Sequence, residues 1–351
     1  MAYSGTVGQT VVSVQNFIDQ GARMSGKLAE ELTVEQVQAS KQALFFILSN
    51  LINQGINYWC VSKKVYGLKP DQYEYLLPVG GNDVLNALYR TMQRPSGGTS
   101  ASSGNAEYAV DSNIDTIDVQ SSPNGNITIN YGNNPIYAGS IGILPGTSGS
   151  FHILLETSND GTTWDLLHDC GVETWVDNEW LWYDIDPGAS VAYYRMRETG
   201  GNTLAVREFY VGNMSTEVTM ARLNRDDYTN LPNKNFTANQ PYQYWFNRTI
   251  PQAKITLWPT PSDPFVQMTI WYSRQIMDVG DLNGELEIPQ YAYQAVQCML
   301  AHQMSQILPN VQIERIIYLE KQADKYFTMM ENENRDRSPI YFAPNISVYT
   351  R

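Results

Sequence analysis

Apolar and polar residues alternate at period two through three successive runs, YQYWFNRT from Tyr242, KITLW from Lys254 and FVQMTIWYSR from Phe265. Such spacing sends successive side chains to opposite faces and predicts half-buried strands forming a β-ribbon. Pro261-Ser262-Asp263-Pro264 supplies the turn between the last two runs. Leu286-Glu287-Ile288-Pro289 is expected to close the sheet, with Pro289 in the first turn of a helix, where a missing N–H costs nothing. From Tyr291 the period becomes helical, with Ala292, Ala295, Val296, Met299, Leu300, Gln303 and Ile307 on one broad face. A second helix is predicted from Val311 to about Asn332, carried by Ile316, Leu319, Ala323, Phe327 and Met330.

Upstream, residues 1 to about 30 carry weak signals. Thr33 and Gln36 form a capping box, Thr-x-x-Gln. The helix that follows should turn Val37, Leu44, Phe45, Leu48, Leu51 and Ile52 to a core and end at Gly55. Residues 73–78 read as a strand; 83–92 read as a strand or a short helix. Pro95 to Asn105 has the composition of a flexible joint. Between Glu107 and about Gly212, short apolar runs alternate with the turn pairs Asn124-Gly125, Gly132-Asn133 and Asp160-Gly161, the pattern of an all-β sandwich. The simplest organisation is an insertion, because exposed loop tips tolerate one. Residues 1–94 form the first half of a host domain, 95–213 the inserted sandwich, 214–337 the second half with the ribbon and long helices, and 338–351 an extended arm. The fold class is α+β.

Composition narrows the function. Hydrophobic content is 42%, too high for a disordered chain. No apolar run approaches the ~20 residues that span a bilayer. The N-terminus lacks the charged and apolar regions of a secretory signal, so synthesis in a cytoplasm is expected. Cys60, Cys170 and Cys298 are sparse and far apart, which favours reduced, buried thiols over a disulfide framework. A net charge of −13 gains nothing from counterion release on a phosphate backbone, so gripping DNA is disfavoured while letting a duplex slide past is not. The 23 Tyr and 8 Trp suit β-rich cores or protein interfaces.

The ordered set Leu257-Trp258-Pro259-Thr260-Pro261-Ser262-Asp263, then Tyr272-Ser273-Arg274, then Glu285-Leu286-Glu287-Ile288-Pro289, then a helix containing Leu300-Ala301, resembles the head-to-tail adaptor proteins of short-tailed bacteriophages. The resemblance covers both host halves and is strongest in the ribbon and helix. It implies a structural protein located in the virion, forming a ring of twelve copies between the portal protein and a tail nozzle or hub protein, with tail fibres as neighbours. DNA passes through the ring without sequence-specific binding, and no membrane is involved. It also implies that the C-terminal arm docks on the portal through Ile340, Tyr341, Phe342, Ile346, Val348 and Tyr349. Pro339 and Pro344 keep that arm from continuing a helix.

Within the insert, Ala109 to Thr116, Thr157 to Trp164, Tyr193 to Arg197 and Val206 to Gly212 follow an order that resembles discoidin-like jelly rolls, the fold of many carbohydrate-binding modules. Asp160-Gly161 fits a tight turn, after which Trp164 is expected to fill the sandwich core. The resemblance implies a structural calcium at Asp111, Asn113, Thr116 and Glu208; the plain alternative is a turn in which Asp111 bonds its own backbone. Ser112 stands where a glycine is usual. Glycan-binding members use exposed aromatics, for which Trp175, Trp180, Trp182 and His152 are candidates, so a carbohydrate-binding tail protein is the alternative function. No enzyme is expected. His152, His168 and His302 lack metal-site spacing, Gly146-Thr147-Ser148-Gly149 is no nucleophile elbow, and no cofactor motif occurs.

Overall fold

The computed structural model describes residues 12–55, 58–93, 98–214 and 216–334. They divide into two compact units: one contains both ends of the chain, up to Val61 and from Ser273, and the other runs from Ser62 to Tyr272.

The first unit is helical. The helix α1 (Val14–Ser25) lies in the stretch whose sequence signals are weak. The Ser13 hydroxyl caps it by accepting from the Asn16 N–H at 3.2 Å, and Gly26 at φ 87° ends it. In α2 (Val34–Asn53) the capping box forms in both directions, Gln36 N–H to Thr33 Oγ1 at 3.3 Å and Thr33 N–H to Gln36 Oε1 at 3.0 Å. The helix α4 (Gln290–Ile307) packs against α1, α2 and α5 (Ile313–Glu333). Phe17, Ile18, Leu44, Leu48, Val296, Leu300 and Met304 are buried together there, each worth about 1.5–3 kcal/mol of apolar burial. Gly21 lets α1 approach closely, because a Cβ there would stand 2.7 Å from the Met304 sulfur.

Two expectations need correction here. Leu286 to Pro289 does not close a sheet. Glu285 only bridges Ser13, and the alternating burial of Leu286 and Ile288 comes from packing on the helices. Phe45 and Ile307 are each 40% exposed rather than facing the core. In the run Leu44-Phe45-Phe46-Ile47-Leu48 one helix face can bury only part of the apolar set, and it takes Leu44, Ile47 and Leu48.

The second unit is built from sheets, with one short helix, α3 (Arg225–Thr229). An eight-stranded sheet runs β1 (Val61–Gly67), β19 (Val266–Arg274), β3 (Gly81–Gln93), β12 (Thr203–Met214), β7 (Ser140–Pro145), β10 (Leu181–Asp184), with β13 (Val218–Thr219) on β3 and β5 (Asp118–Pro123) on β12. A five-stranded sheet runs β4 (Gly98–Ala101), β6 (Asn126–Asn130), β11 (Tyr193–Glu198), β8 (Gly149–Ser158), β9 (Asp165–Trp175). A third orders β14 (Ala221–Leu223), β16 (Gln243–Asn247), β17 (Lys254–Trp258), β2 (Glu74–Leu76), and β15 (Thr237–Ala238) pairs with β18 (Thr260–Pro261). Residues 83–92 are therefore strand, and part of the expected joint at 95–105 is the edge strand β4. The three ribbon runs do form strands, but β16 and β17 pair with each other while β19 belongs to the eight-stranded sheet.

The sandwich closes around Ile127, Ile129, Ile143, Leu155, Trp175, Met196 and Phe209. It departs from and returns to its host strands side by side, since Gln93 of β3 pairs with Asn213 of β12 and Met92 with Met214. A second core, with Val84, Tyr244, Ile255, Leu257, Met268 and Ile270, fills the space beneath the ribbon strands. The two are joined by an aromatic seam. Trp180 stacks on Trp182 at 4.5 Å, and Phe265 and Tyr210 meet them edge-on at 6.1 and 5.4 Å. Bare backbone lies beneath the tryptophans: a Cβ on Gly67 would stand 2.4 Å from Trp180, and one on Gly142 2.2 Å from Trp182.

Polar groups reinforce the seam. Arg90 on β3 is 1% exposed; its guanidinium pairs with Asp184 of β10 at 2.8 Å and with Glu217 at 3.5 Å, and its Nε donates to Gln267. Lys63 of β1 adds a second cation to Asp184 at 3.0 Å. Burial alone would raise the Asp184 carboxyl, but Arg90 and then Lys63 hold it below the usual carboxylate range.

Candidate functional sites

Of the calcium candidates, three come together in one loop ahead of β5. Ser112 takes the left-handed backbone, φ 62°, in place of the expected glycine, so the tight turn forms. The Asp111 carboxylate accepts from the Asn113 N–H at 2.8 Å and from the Thr116 hydroxyl at 2.8 Å. The same hydroxyl lies 2.8 Å from the Asn113 carbonyl and 3.4 Å from the Tyr108 carbonyl. One hydroxyl proton cannot serve three acceptors. A carboxylate, two carbonyls and a hydroxyl gathered this closely are the hard oxygen donors that calcium takes. Glu208 is wholly buried on β12. Its neighbour Arg207 donates to the Ile114 carbonyl at 3.0 Å, which ties that strand to the loop. Among the described residues no three His, Cys, Asp or Glu side chains gather as a metal cluster, so any ion here would depend on carbonyl and hydroxyl oxygen.

The aromatic glycan candidates are not available as a platform. Trp175 is buried in the sandwich and stacks on Phe151 at 4.3 Å. Trp180 and Trp182 belong to the seam. His152 is half-exposed and bonds Asp169 at 2.8 Å. Trp164 is the reverse case. The Asp160-Gly161 turn forms as expected, with Gly161 at φ 72° and Asp160 accepting from Thr162 and Thr163 N–H at 2.8 Å. The ring, however, is only half-buried, under the Arg195 guanidinium at 3.8 Å. It leaves the core because Phe151 and Trp175 already fill it.

The thiols suit the inert reading. Burial pushes the Cys60 thiol up to about 11 and Cys170 up to about 12, and raises Cys298 as well. No thiolate is ready for attack at neutral pH. His302 on α4 bonds Gln306 at 3.1 Å, and His168 lies 5.6 Å from the Tyr183 ring.

The helical unit presents what the sequence reading missed. On α2, Phe46 is 66% exposed beside Phe45, lining a groove of about 510 Å³ with Lys41, Gln42 and Val279. On α5, Ile313, Ile317 and Tyr318 are 67%, 46% and 59% exposed, Ile313 and Ile317 one helical turn apart. Two separate helices of a small unit thus carry uncovered apolar side chains, beyond the scattered single residues of an ordinary surface. The docking arm expected through Ile340, Tyr341, Phe342, Ile346, Val348 and Tyr349 lies outside the described residues. No described helix is long and apolar enough to cross a membrane.

Neither a protein-family profile nor a curated protein matches the sequence. Solved structures do match, carbohydrate-binding modules among them. The Clostridium perfringens module CpGH89CBM32-5, in complex with GalNAc-β-1,3-galactose, shares 15% identity over 33% of this chain and 94% of its own, with a TM-score of 0.29. A chitosan-binding module from a Paenibacillus chitosanase/glucanase shares 18% over 35% and 99%, at 0.30. The family 32 module of C. perfringens NanJ, in complex with galactose, shares 21% over 36% and 99%, at 0.28.

Proposed function

We propose that the chain is a structural virion subunit, a ring-forming adaptor that joins a portal to a short phage tail and leaves a passage for DNA. The observation that carries this reading is the pair of uncovered apolar faces on α2 and α5 of the unit built from both chain ends. Closing a ring needs a heterologous contact, one face of each copy against a different face of the next, and two distinct apolar faces meet that need. The net charge of −13 suits a wall that a duplex slides past. The motifs LWPTPSD and ELEIP support the same family. The arm 338–351 is assigned to the portal, as the family resemblance implies. Negative-stain microscopy of the chain mixed with its portal tests this: a ring added beneath the portal is expected, and deletion of 338–351 should remove it. A portal that stays bare with the full chain sinks the reading.

A second reading is a sugar-binding tail protein, favoured by the jelly-roll insert with its oxygen-lined loop. The loop residues Asp111, Asn113 and Thr116, with Glu208 of β12, would hold calcium as a structural brace, adding to the tie that Arg207 already makes from β12 to the Ile114 carbonyl. Adding calcium to chelator-treated protein should then raise the melting temperature of the wild type, by about 2.7 kcal/mol of stability at 100 times the dissociation constant. Asp111→Ala should lose that rise. Equal melting with and without calcium removes the ion from the account.

A further inference from the structure

A cleft of about 520 Å³ opens in the second unit where the loop from Leu68 to Glu74 faces the sandwich. Its volume is in the range of ordinary ligand sites, about 300–1,000 Å³. Leu68, Leu144, Trp180 and Pro264 give it an apolar lining. Both walls are fixed in place. On one side the Leu68 N–H donates to the Val266 carbonyl at 2.9 Å, Lys69 N–H to the Tyr75 hydroxyl at 2.8 Å, and Asp71 N–H to the Pro261 carbonyl at 3.0 Å. On the other, Asn178 N–H donates to the Pro145 carbonyl at 3.0 Å, and Arg207 clamps Asp177 and the Ile114 carbonyl, each at 3.0 Å.

The rim differs from its surroundings. Glu74 is paired with Lys254, and the Gln72 amide with the Glu74 carbonyl. The side chains of Lys69, Asp71, Tyr73 and Asn178 line the same cleft and make no hydrogen bond or ion pair among the described residues. Two of them are held in the left-handed backbone region, Asp71 at φ 62° and Asn178 at φ 59°. Strained non-glycine positions of this kind concentrate at ligand clamps. Tyr73 is 46% exposed at the mouth.

From these features we infer that the cleft binds a neutral oligosaccharide, which rests on the second reading above and gives it a site in which Trp180 contributes only an edge of the lining and Tyr73 is the exposed aromatic. A sugar ring offers an apolar face to an aromatic ring and a lining of hydroxyls that both donate and accept. Lys69 only donates, Asp71 only accepts, and Asn178 does both. One ammonium and one carboxylate leave the rim without the excess cation that a uronic acid or a phosphate would require. An extended peptide wants free backbone groups along a strand edge, and the N–H groups of Leu68, Lys69 and Asp71 are already used.

The test is a titration of the full chain with cellotriose, maltotriose, chitotriose and trigalacturonate, after a screen on an array of neutral glycans. Calorimetry gives the affinity, and tryptophan fluorescence reports on Trp180 in the lining. Saturable binding of a neutral glycan is expected, weakened about tenfold or more, near 1.4 kcal/mol or above, in Tyr73→Ala and in Asp71→Ala. Tyr73→Phe, which keeps the ring, should bind within about threefold of wild type. Unchanged melting temperatures show that the variants fold. Neutral-glycan binding that survives both alanine variants sinks the cleft and leaves the sugar reading standing. No glycan of any kind bound at about 10 mM sinks both; trigalacturonate alone bound sinks the neutral-glycan cleft and leaves the sugar reading standing.

Discussion

Replacing Phe46 or Ile317 with aspartate leaves the helical unit folded and abolishes the ring on the portal. Both side chains are largely in solvent, 66% and 46% exposed, so a carboxylate costs the isolated subunit little, within about 0.5 kcal/mol. In the assembly the same carboxylate is buried against apolar side chains without a partner, at several kcal/mol per contact repeated around the ring. Mixing the two variants distinguishes the contact type. A Phe46→Asp copy keeps its α5 face and an Ile317→Asp copy keeps its α2 face. In a heterologous contact these join once and stop, so the mixture gives a dimer by mass photometry and no ring. A contact of like face with like would leave each variant able to pair with itself. Rings from both variants at wild-type yield would remove these faces from assembly.

The second large effect concerns Arg90. Asp184→Ala takes away its closest carboxylate and leaves a guanidinium that is 1% exposed. Taking the closest partner from a buried guanidinium that keeps only Glu217 and Gln267 costs up to roughly 3–5 kcal/mol, a fall of the order of 6–20 °C at most in the melting temperature of a unit this size. Arg90→Met with Asp184→Leu should recover part of that loss, because no buried charge is stranded; Glu217 and Lys63 can turn to solvent, and the buried Gln267 amide is the polar group left to re-pair. Acid should act in the same sense. The folded Asp184 carboxyl is held below its unfolded value of about 3.9, so its contribution is complete above that pH and is lost as the pH drops through the folded value. The double variant should show a shallower acid limb in thermal melts from pH 6 to pH 2. Identical melting of Asp184→Ala and wild type would contradict the clamp.

Much of the fold was legible because burial on one face writes alternation into the strands. Tyr244, Phe246, Ile255 and Leu257 are buried at the positions the period-two pattern marks. The helix α1 was legible in principle, through Ser13, the spacing of Val14, Phe17, Ile18 and Ala22, and the stop at Gly26, but it is short and stands alone. Phe45 was misplaced because five consecutive apolar residues fit any rotation of a helix equally well. The hairpin at Asp160-Gly161 followed from its turn chemistry, whereas the place of Trp164 is set by tertiary packing, with Phe151 and Trp175 in the core. The clustering of Asp111, Asn113 and Thr116 in one turn could be read because they lie within a few positions of one another. The cleft could not, since Tyr73, Asn178 and Pro264 are brought together only by folding.

Trp180 of the insert, seated on the bare backbone of Gly67 in β1, makes the insert something other than a pennant on a string. Its orientation to the strands that carry it is welded, so a cargo seized by the sandwich would pull directly on the host strands β1 and β3. Exchange of this sandwich for a foreign one would strip the Trp180 ring from the strand position, Gly67, that was left bare for it. A successful graft must therefore import its own flat side chain for that place, or Gly67 must be given a side chain large enough to fill it.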